Sequence, residues 1–315
     1  MSEEKIPIFF AANTDYYQHL CVALVSLLEN NPHREFDVRI LTDDDDRESR
    51  NRILELIQHY HNVDIDFKKI ELDDTERFFL RDENTPTSVQ PHVTRQTYYR
   101  CFIPELSPEY DRAIYLDCDL LVEGNIVELW ETDMGECYLA AVEDWGVNHV
   151  NPHYKTNIGF RDGEVYVNAG VLLMNLAAMR RDDIVNRLMT DLDKLGSRLT
   201  LHDQDLINHT LKGRIRFLES RFNRTTEYDH ANLHDTVSPV ISHFTTKRKP
   251  WSEQWICFHR ARDRYFYYLE KTPYRDYIRQ YRLKYYIRGV APHYLKKLVK
   301  SLLPDMLLQR LRRAG

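Results

Sequence analysis

AIYLDCDLLV, Ala113 to Val122, places two carboxylates two residues apart at the end of an apolar run. The run reads as a buried strand ending at Asp117, and open α/β sheets bind their ligands at the carboxyl ends of their strands. Side chains two apart on extended chain point the same way, so Asp117 and Asp119 are expected to face one ligand together. Hard carboxylate oxygens suit Mg²⁺ or Mn²⁺ shared with a diphosphate, where the ion would neutralise charge on a departing nucleotide. An Asp-x-Asp can also merely cap a turn, but an apolar strand feeding directly into the pair favours chemistry.

On the N-terminal side, Ile6 to Ala11 reads as a strand, Asn13-Thr14-Asp15 as a turn, and Tyr16 to Glu29 as a helix with Leu20, Ala23, Leu24, Leu27 and Leu28 at helical spacing. A second unit follows: strand Phe36 to Leu41, an acidic turn, a helix through Ile53, Leu56 and Ile57, and strand Val63 to Ile70. Strands alternating with helices imply a parallel, three-layer α/β sheet. Periodicity fails from Leu72 to Pro91, which reads as a surface excursion or lid. A helix is expected over Thr94 to Ile103.

On the C-terminal side come a short helix near Ile126 to Trp130, a strand Tyr138 to Val142, and a loop from Val147 to Phe160. The turn Asn168-Ala169-Gly170 precedes the apolar run Val171 to Leu176, then a helix through Ile184, Leu188 and Leu192. A helix over Asp203 to Leu211 and strands Ile215 to Leu218 and Val240 to Ser242 complete the body, the last strand ending at His243.

With 315 residues and 43% apolar content, the chain can bury the core of one large domain plus an appendage. Residues 1–258 are expected to form the catalytic domain and 259–315 a helical, basic and aromatic appendage. From Tyr281 onward nine Lys or Arg face one acid, a net of +8; the whole chain carries −6, which leaves −14 on the body. That balance argues against nucleic-acid binding. Five cysteines without paired spacing fit a reducing cytoplasm. The acidic MSEEKIPIFF start lacks the basic flank and apolar length of a signal peptide, and no later stretch could span a bilayer. The expectation is a cytoplasmic protein, soluble or peripheral on the inner face of the cell membrane.

Several segments taken in order resemble the bacterial members of glycosyltransferase family 8, the retaining galactosyl- and glucosyltransferases of lipopolysaccharide assembly, with glycogenin a distant relative. The likeness runs from about residue 6 to 251. It implies a GT-A type, Rossmann-like domain with a mixed, mostly parallel sheet, a UDP-hexose donor, a Mn²⁺ or Mg²⁺ cofactor and a glycan or glycolipid acceptor. FFAANTDYY, Phe9 to Tyr17, is similar to the family's nucleotide loop, implying nucleotide contacts from Ala11, Asn13, Asp15 and Tyr16, with acid and amide exchanged between Asn13 and Asp15. These residues also suit helix N-caps. Arg100 in TYYRCFIPEL resembles a basic residue that reaches phosphate or sugar. Asp117 and Cys118 belong with the nucleotide sugar, and Asp117, Asp119 and His243 with the metal.

By the same resemblance, Asp144 in AAVEDWG lies near the transferred sugar, with Glu143 an adjacent rival. Asn168, Ala169 and Gly170 in VNAGVLLMNL line the sugar pocket, where glycine permits close backbone approach. Asp203 in LHDQDLIN fixes sugar hydroxyls, and Gln204 lies on the face opposite the leaving diphosphate. An amide is a weak nucleophile, which favours front-face attack over a covalent glycosyl intermediate. ISHFTTKRKPW resembles the family's HxxGxxKPW: His243, Lys249, Pro250 and Trp251 match, but Thr246 stands at the glycine. Lys249 and Thr246 are implied at the diphosphate.

Tyrosines among the cations of the tail suit an anionic membrane interface, although a helical appendage packed on the domain explains the same residues. Two rival functions use the same carboxylates. A haloacid-dehalogenase-like phosphohydrolase also opens with strand-Asp-x-Asp, but usually near the chain start with Thr or Val where Leu121 stands. A non-catalytic sugar-nucleotide-binding peripheral membrane protein would fit the departures at Asn13, Asp15 and Thr246.

Overall fold

The computed structural model describes residues 4–70, 95–232, 235–247, 249–252, 261–285, 294–295 and 297–298. The proposed lid, Leu72 to Pro91, lies outside the described residues. The chain divides into two compact units, Met1–Thr245 and Thr246–Gly315.

In the first unit, β1 (Ile6–Ala11), α1 (Tyr17–Asn30), β2 (Phe36–Thr42), α2 (Arg47–Ile57) and β3 (Val63–Lys69) follow the sequence periodicity closely. The Asp46 carboxylate accepts the Ser49 N–H and caps α2. Arg95–Phe102 forms a 3₁₀ helix rather than the expected α-helix, and α3 (Ile103–Leu106) takes over with Pro104 in its first turn, where proline needs no N–H partner. β4 (Arg112–Leu116), β5 (Leu120–Val122), α4 (Val127–Trp130) and β6 (Leu139–Ala141) lead to the 147–160 segment. That segment is not plain loop: it holds a π turn, Gly146–Val150, and a 3₁₀ turn, Tyr154–Ile158.

β7 (Val171–Asn175) passes directly into α5 (Leu176–Arg181), because Asn175 accepts the Ala178 N–H and ends the strand. Then come α6 (Ile184–Leu195), α7 (His202–Thr210), β8 (Ile215–Phe217), β9 (Arg224–Thr225), α8 (Thr226–Ala231) and β10 (Ile241–His243).

Seven strands form one sheet in the order β3-β2-β1-β4-β7-β6-β8. All neighbours are parallel except those of β7, which runs against both β4 and β6. The sheet is thus mixed and mostly parallel, as the family resemblance implies, and β7 is the exception to the parallel order that strand–helix alternation alone suggests. The cause is local: β6 returns to β7 as a long hairpin without a crossover helix, so its loop, 142–170, stays at the carboxyl end of β4. Phe9, Tyr115, Leu172 and Met174 lie in one buried cluster with Leu188, Leu192 and Leu206 of α6 and α7. The alternate residues Ile8, Phe10 and Ile114 are equally buried, so both faces of the sheet are covered.

A second sheet, β5-β10-β9, is too short for alternation to betray. It sets His243 opposite Leu120, and the Phe244 N–H bonds the Asp119 carbonyl at 2.9 Å. The second unit holds α9 (Arg262–Leu269) and α10 (Asp276–Tyr285). There Trp251 packs at a tilt against Tyr265 at 4.9 Å between centroids, and its carbonyl accepts from Tyr277 at 3.0 Å. No helix among the described residues is long and apolar enough to cross a membrane.

Candidate active site

β4 ends at Leu116, and the chain bends at Cys118 and Asp119 before β5, so Asp117 and Asp119 leave one tight turn rather than a continuous strand. Both nonetheless reach one point. His243 Nε2 is 3.2 Å from Asp119 Oδ1 and 3.7 Å from Asp117 Oδ2, and the three ligand atoms lie within 4.8 Å of one another. Two hard oxygens and an imidazole nitrogen fit Mn²⁺ or Mg²⁺. The other oxygen of Asp117 is turned inward, accepting from Tyr115 at 2.8 Å and pairing with Arg100 at 2.9 Å.

Gly170 is required here for a reason the sequence does not disclose. A Cβ on it would fall 2.1 Å from His243 Cε1 and 2.7 Å from Asp117 Oδ2. The His243 and Asp117 side chains occupy the space glycine leaves.

Beside this cluster lies a cavity of about 200 Å³ lined by Ala11, Asn13, Tyr16, Gln96, Arg100, Asp117, Cys118 and Asp119 among others. The expected nucleotide-loop residues therefore gather there, except Asp15, which is exposed and outside the lining. Asn13 caps no helix; its Oδ1 is buried without a hydrogen-bond partner in the protein, an acceptor suited to a ligand N–H. Gln96, missed in the sequence, matches it: Nε2 donates to Asp43 at 2.6 Å and Oε1 is left buried and unpaired. Cys118 is buried against the Ala11 carbonyl, and burial pushes its thiol well above the ordinary range.

Arg100 is buried and shared. Its guanidinium meets Asp117, lies 4.4 Å over the Tyr115 ring and donates to the Ala169 carbonyl. Its Nε is 3.0 Å from Asp203 Oδ2, yet that N–H points to the Thr97 carbonyl, so the Asp203 oxygen keeps no donor. Accordingly burial pushes the Asp203 carboxyl up to about 7 against the pull of Arg100, with Asp117 adding to the rise. Just before Asp203, His202 holds φ of 50°, a left-handed conformation rare outside glycine.

Gln204 is pinned at both ends: Oε1 accepts the Ala169 N–H at 2.9 Å and Nε2 donates to Asp144 Oδ2 at 3.2 Å. Asp144 also accepts from Asn168 at 3.1 Å and from the Val147 N–H at 2.9 Å. Its rival Glu143 faces His149 instead, at 3.3 Å. Asn168 and Ala169 are buried. Asn223 sits behind His243, 3.0 Å from Nδ1; no pattern in the sequence singles it out. Thr246 and Lys249 belong to the second unit.

The site thus joins a carboxylate–imidazole cluster, a cleft beside it and a pinned acid–amide pair. The model of the family described as Glycosyl transferase family 8 matches residues 7–255. The chain belongs to glycosyltransferase family 8. A putative glycosyltransferase of Haemophilus influenzae is 30% identical over 261 residues, 81% of this chain and 75% of the relative. The lipopolysaccharide 1,3-galactosyltransferase of Salmonella typhimurium is 26% identical over 79% of this chain and 73% of its own. Among solved structures, the galactosyltransferase LgtC in complex with donor and acceptor sugar analogues superposes with a TM-score of 0.74 at 29% identity, covering 85% of this chain and 96% of LgtC. The sheet described above is thus the GT-A arrangement of this family of glycosyltransferases. The phosphohydrolase and non-catalytic alternatives find no support in these matches.

Proposed function

We propose that this family 8 enzyme transfers a hexose from a UDP-sugar to a glycan or glycolipid acceptor with retention, using a divalent cation held by Asp117, Asp119 and His243. The observation that carries the reading is the convergence of those three side chains beside the cavity lined by the nucleotide loop. Relatives named as galactosyltransferases make galactose the first donor to try and glucose the second, with lipopolysaccharide core or another cell-surface glycan as acceptor.

The cation, when bound, would offset charge on the diphosphate as it leaves. In the protein, Asn13 Oδ1 and the Ala11–Tyr16 loop take the nucleoside, and Arg100 holds Asp117 with one ligand oxygen toward the metal. Asp203, whose Oδ2 lacks a protein donor, is assigned to the sugar hydroxyls. Asp144 and Gln204 are assigned to the face opposite the diphosphate. Gln204 already spends its oxygen on a backbone N–H, which supports a positioning role and a front-face attack by the acceptor hydroxyl, whose proton passes to a diphosphate oxygen. Thr246 and Lys249 are assigned to the diphosphate, and the basic appendage, 259–315, to an anionic membrane surface.

The deciding measurement is UDP release from UDP-galactose, UDP-glucose and UDP-N-acetylglucosamine with and without Mn²⁺. One donor should be hydrolysed slowly and only with the ion. Asp119→Ala should lose about a thousandfold, roughly 4 kcal/mol of charge stabilisation. Metal-independent release, or full activity in Asp119→Ala, would overturn the reading.

A further inference from the structure

Which nitrogen of the neutral His243 ring carries hydrogen decides whether Nε2 can join Asp117 and Asp119 as a ligand, since only an unprotonated nitrogen binds a cation. The answer follows from a backbone group that has no choice. The Gly170 N–H donates to one terminal atom of Asn168 at 2.9 Å, which makes that atom the oxygen. The other is then the nitrogen, and it duly donates to Asp144 Oδ2. Asn168 Oδ1 accepts a second bond at 2.9 Å, from Asn223 Nδ2. The remaining atom of Asn223 is therefore its oxygen, and it faces His243 Nδ1 at 3.0 Å.

An amide oxygen only accepts, so Nδ1 must carry a hydrogen. In the neutral ring Nε2 is then a lone pair, directed at Asp119 and Asp117. Asn168, Asn223 and His243 are 5%, 1% and 4% exposed, so water cannot substitute for any link.

We propose that Asn223 is a positioning residue: anchored through Asn168 to the Gly170 backbone, it holds His243 in the Nδ1–H tautomer and presents Nε2 to the cation. The inference rests on the metal reading above and deepens it. It assigns the outer partner that a metal-ligating histidine needs to fix its ring and tautomer. It also explains how the ligand set keeps register with the sugar side, because Asn168 touches both Asn223 and Asp144.

The test begins with the unaltered protein carrying isotope-labelled histidine, metal-free and at alkaline pH, with nitrogen NMR reporting the protonated ring atom. His243 should show hydrogen on Nδ1; hydrogen on Nε2 would overturn the proposal without any variant. Asn223→Ala should then shift His243 toward the Nε2–H form and weaken Mn²⁺ binding, read by electron paramagnetic resonance, by about 10- to 100-fold. KM for UDP-sugar at saturating Mn²⁺ should change little. Unchanged Mn²⁺ affinity in a folded Asn223→Ala would also overturn it. Asp119→Ala separates the two levels: if it too leaves Mn²⁺ binding intact, the metal reading itself fails, whereas if only Asn223→Ala is silent, the tautomer role alone falls.

Discussion

The two sides of β4 are built from different materials. Toward β3, the sheet is parallel and its interior almost wholly apolar; Ile6, Ile8, Phe9, Phe10, Phe36, Val38 and Ile40 are fully buried. The polar groups buried there close backbone gaps, as when Asn62 donates to the Asn31 and Arg34 carbonyls. Toward β8 and in the short second sheet the chain buries Asn168, Asp203, Asp205, Asn208, Asn223 and His243. Apart from Asp203 Oδ2, these are held by hydrogen bonds: Asp205 takes the Tyr166 and Tyr154 hydroxyls at 2.7 and 2.6 Å, and Asn208 brackets Val167 through both its oxygen and its nitrogen. Apolar burial supplies a rigid frame but no direction. Hydrogen bonds in a low-dielectric interior orient each atom, at the risk of a heavy cost for any group left unpaired.

The sharpest way to break this contrast is Gly170→Ala. The new methyl would clash with His243 Cε1 and press on Asp117, so these side chains must move by about an ångström or more. Displacements of that size cost roughly a hundredfold in rate. Mn²⁺-dependent UDP-sugar turnover should fall by at least about that factor, while the frame side keeps the protein folded by circular dichroism. Normal turnover would mean that the polar side is as forgiving as the apolar one.

A smaller effect of the opposite kind is expected on the frame side. Asn31 donates to the Leu27 and Gly124 carbonyls and accepts the Ile126 N–H at 3.0 Å. Asn31→Ala leaves that N–H buried and unpaired, at a cost of about 1–3 kcal/mol. The urea midpoint should drop accordingly, with turnover by the folded fraction unchanged. A change in turnover would show that the frame directs chemistry after all.

The same contrast accounts for what could be read in advance. β1, β2, β3, β4 and their helices follow from apolar periodicity, because on that side burial is the whole message. Asp117, Asp119 and His243 meet as the resemblance implied. The orientation of β7 does not follow from alternation, since a hairpin return and a crossover leave the same strand pattern. β5 and β9, of three and two residues, are shorter than any alternation can register. The 3₁₀ turn over Arg95–Phe102 differs from an α-helix by less than its few apolar residues can discriminate. Asn223 and Gln96 are single amides whose partners come from distant segments, and only the folded chain brings them together.

The last effect is the smallest and belongs to the polar side alone. Asp203 has its carboxyl pushed from 3.8 up to about 7 by burial, so between those values the folded chain holds a proton that the unfolded chain has released. A group whose folded value is raised in this way makes stability fall as pH rises, and the fall ends above the folded value. Between about pH 6 and pH 7 the loss should be about 1 kcal/mol. Asp203→Asn removes the titration, so urea unfolding of the variant should lack this slope, and the difference from the parent should shrink as pH falls toward the unfolded value. Asn31→Ala, with no titrating group, should give a pH-independent difference over the same range. If Asp203→Asn is equally flat, Arg100 keeps Asp203 ionised after all. The polar side would then be held by charge pairing rather than by hydrogen bonds around a carboxyl that keeps its proton.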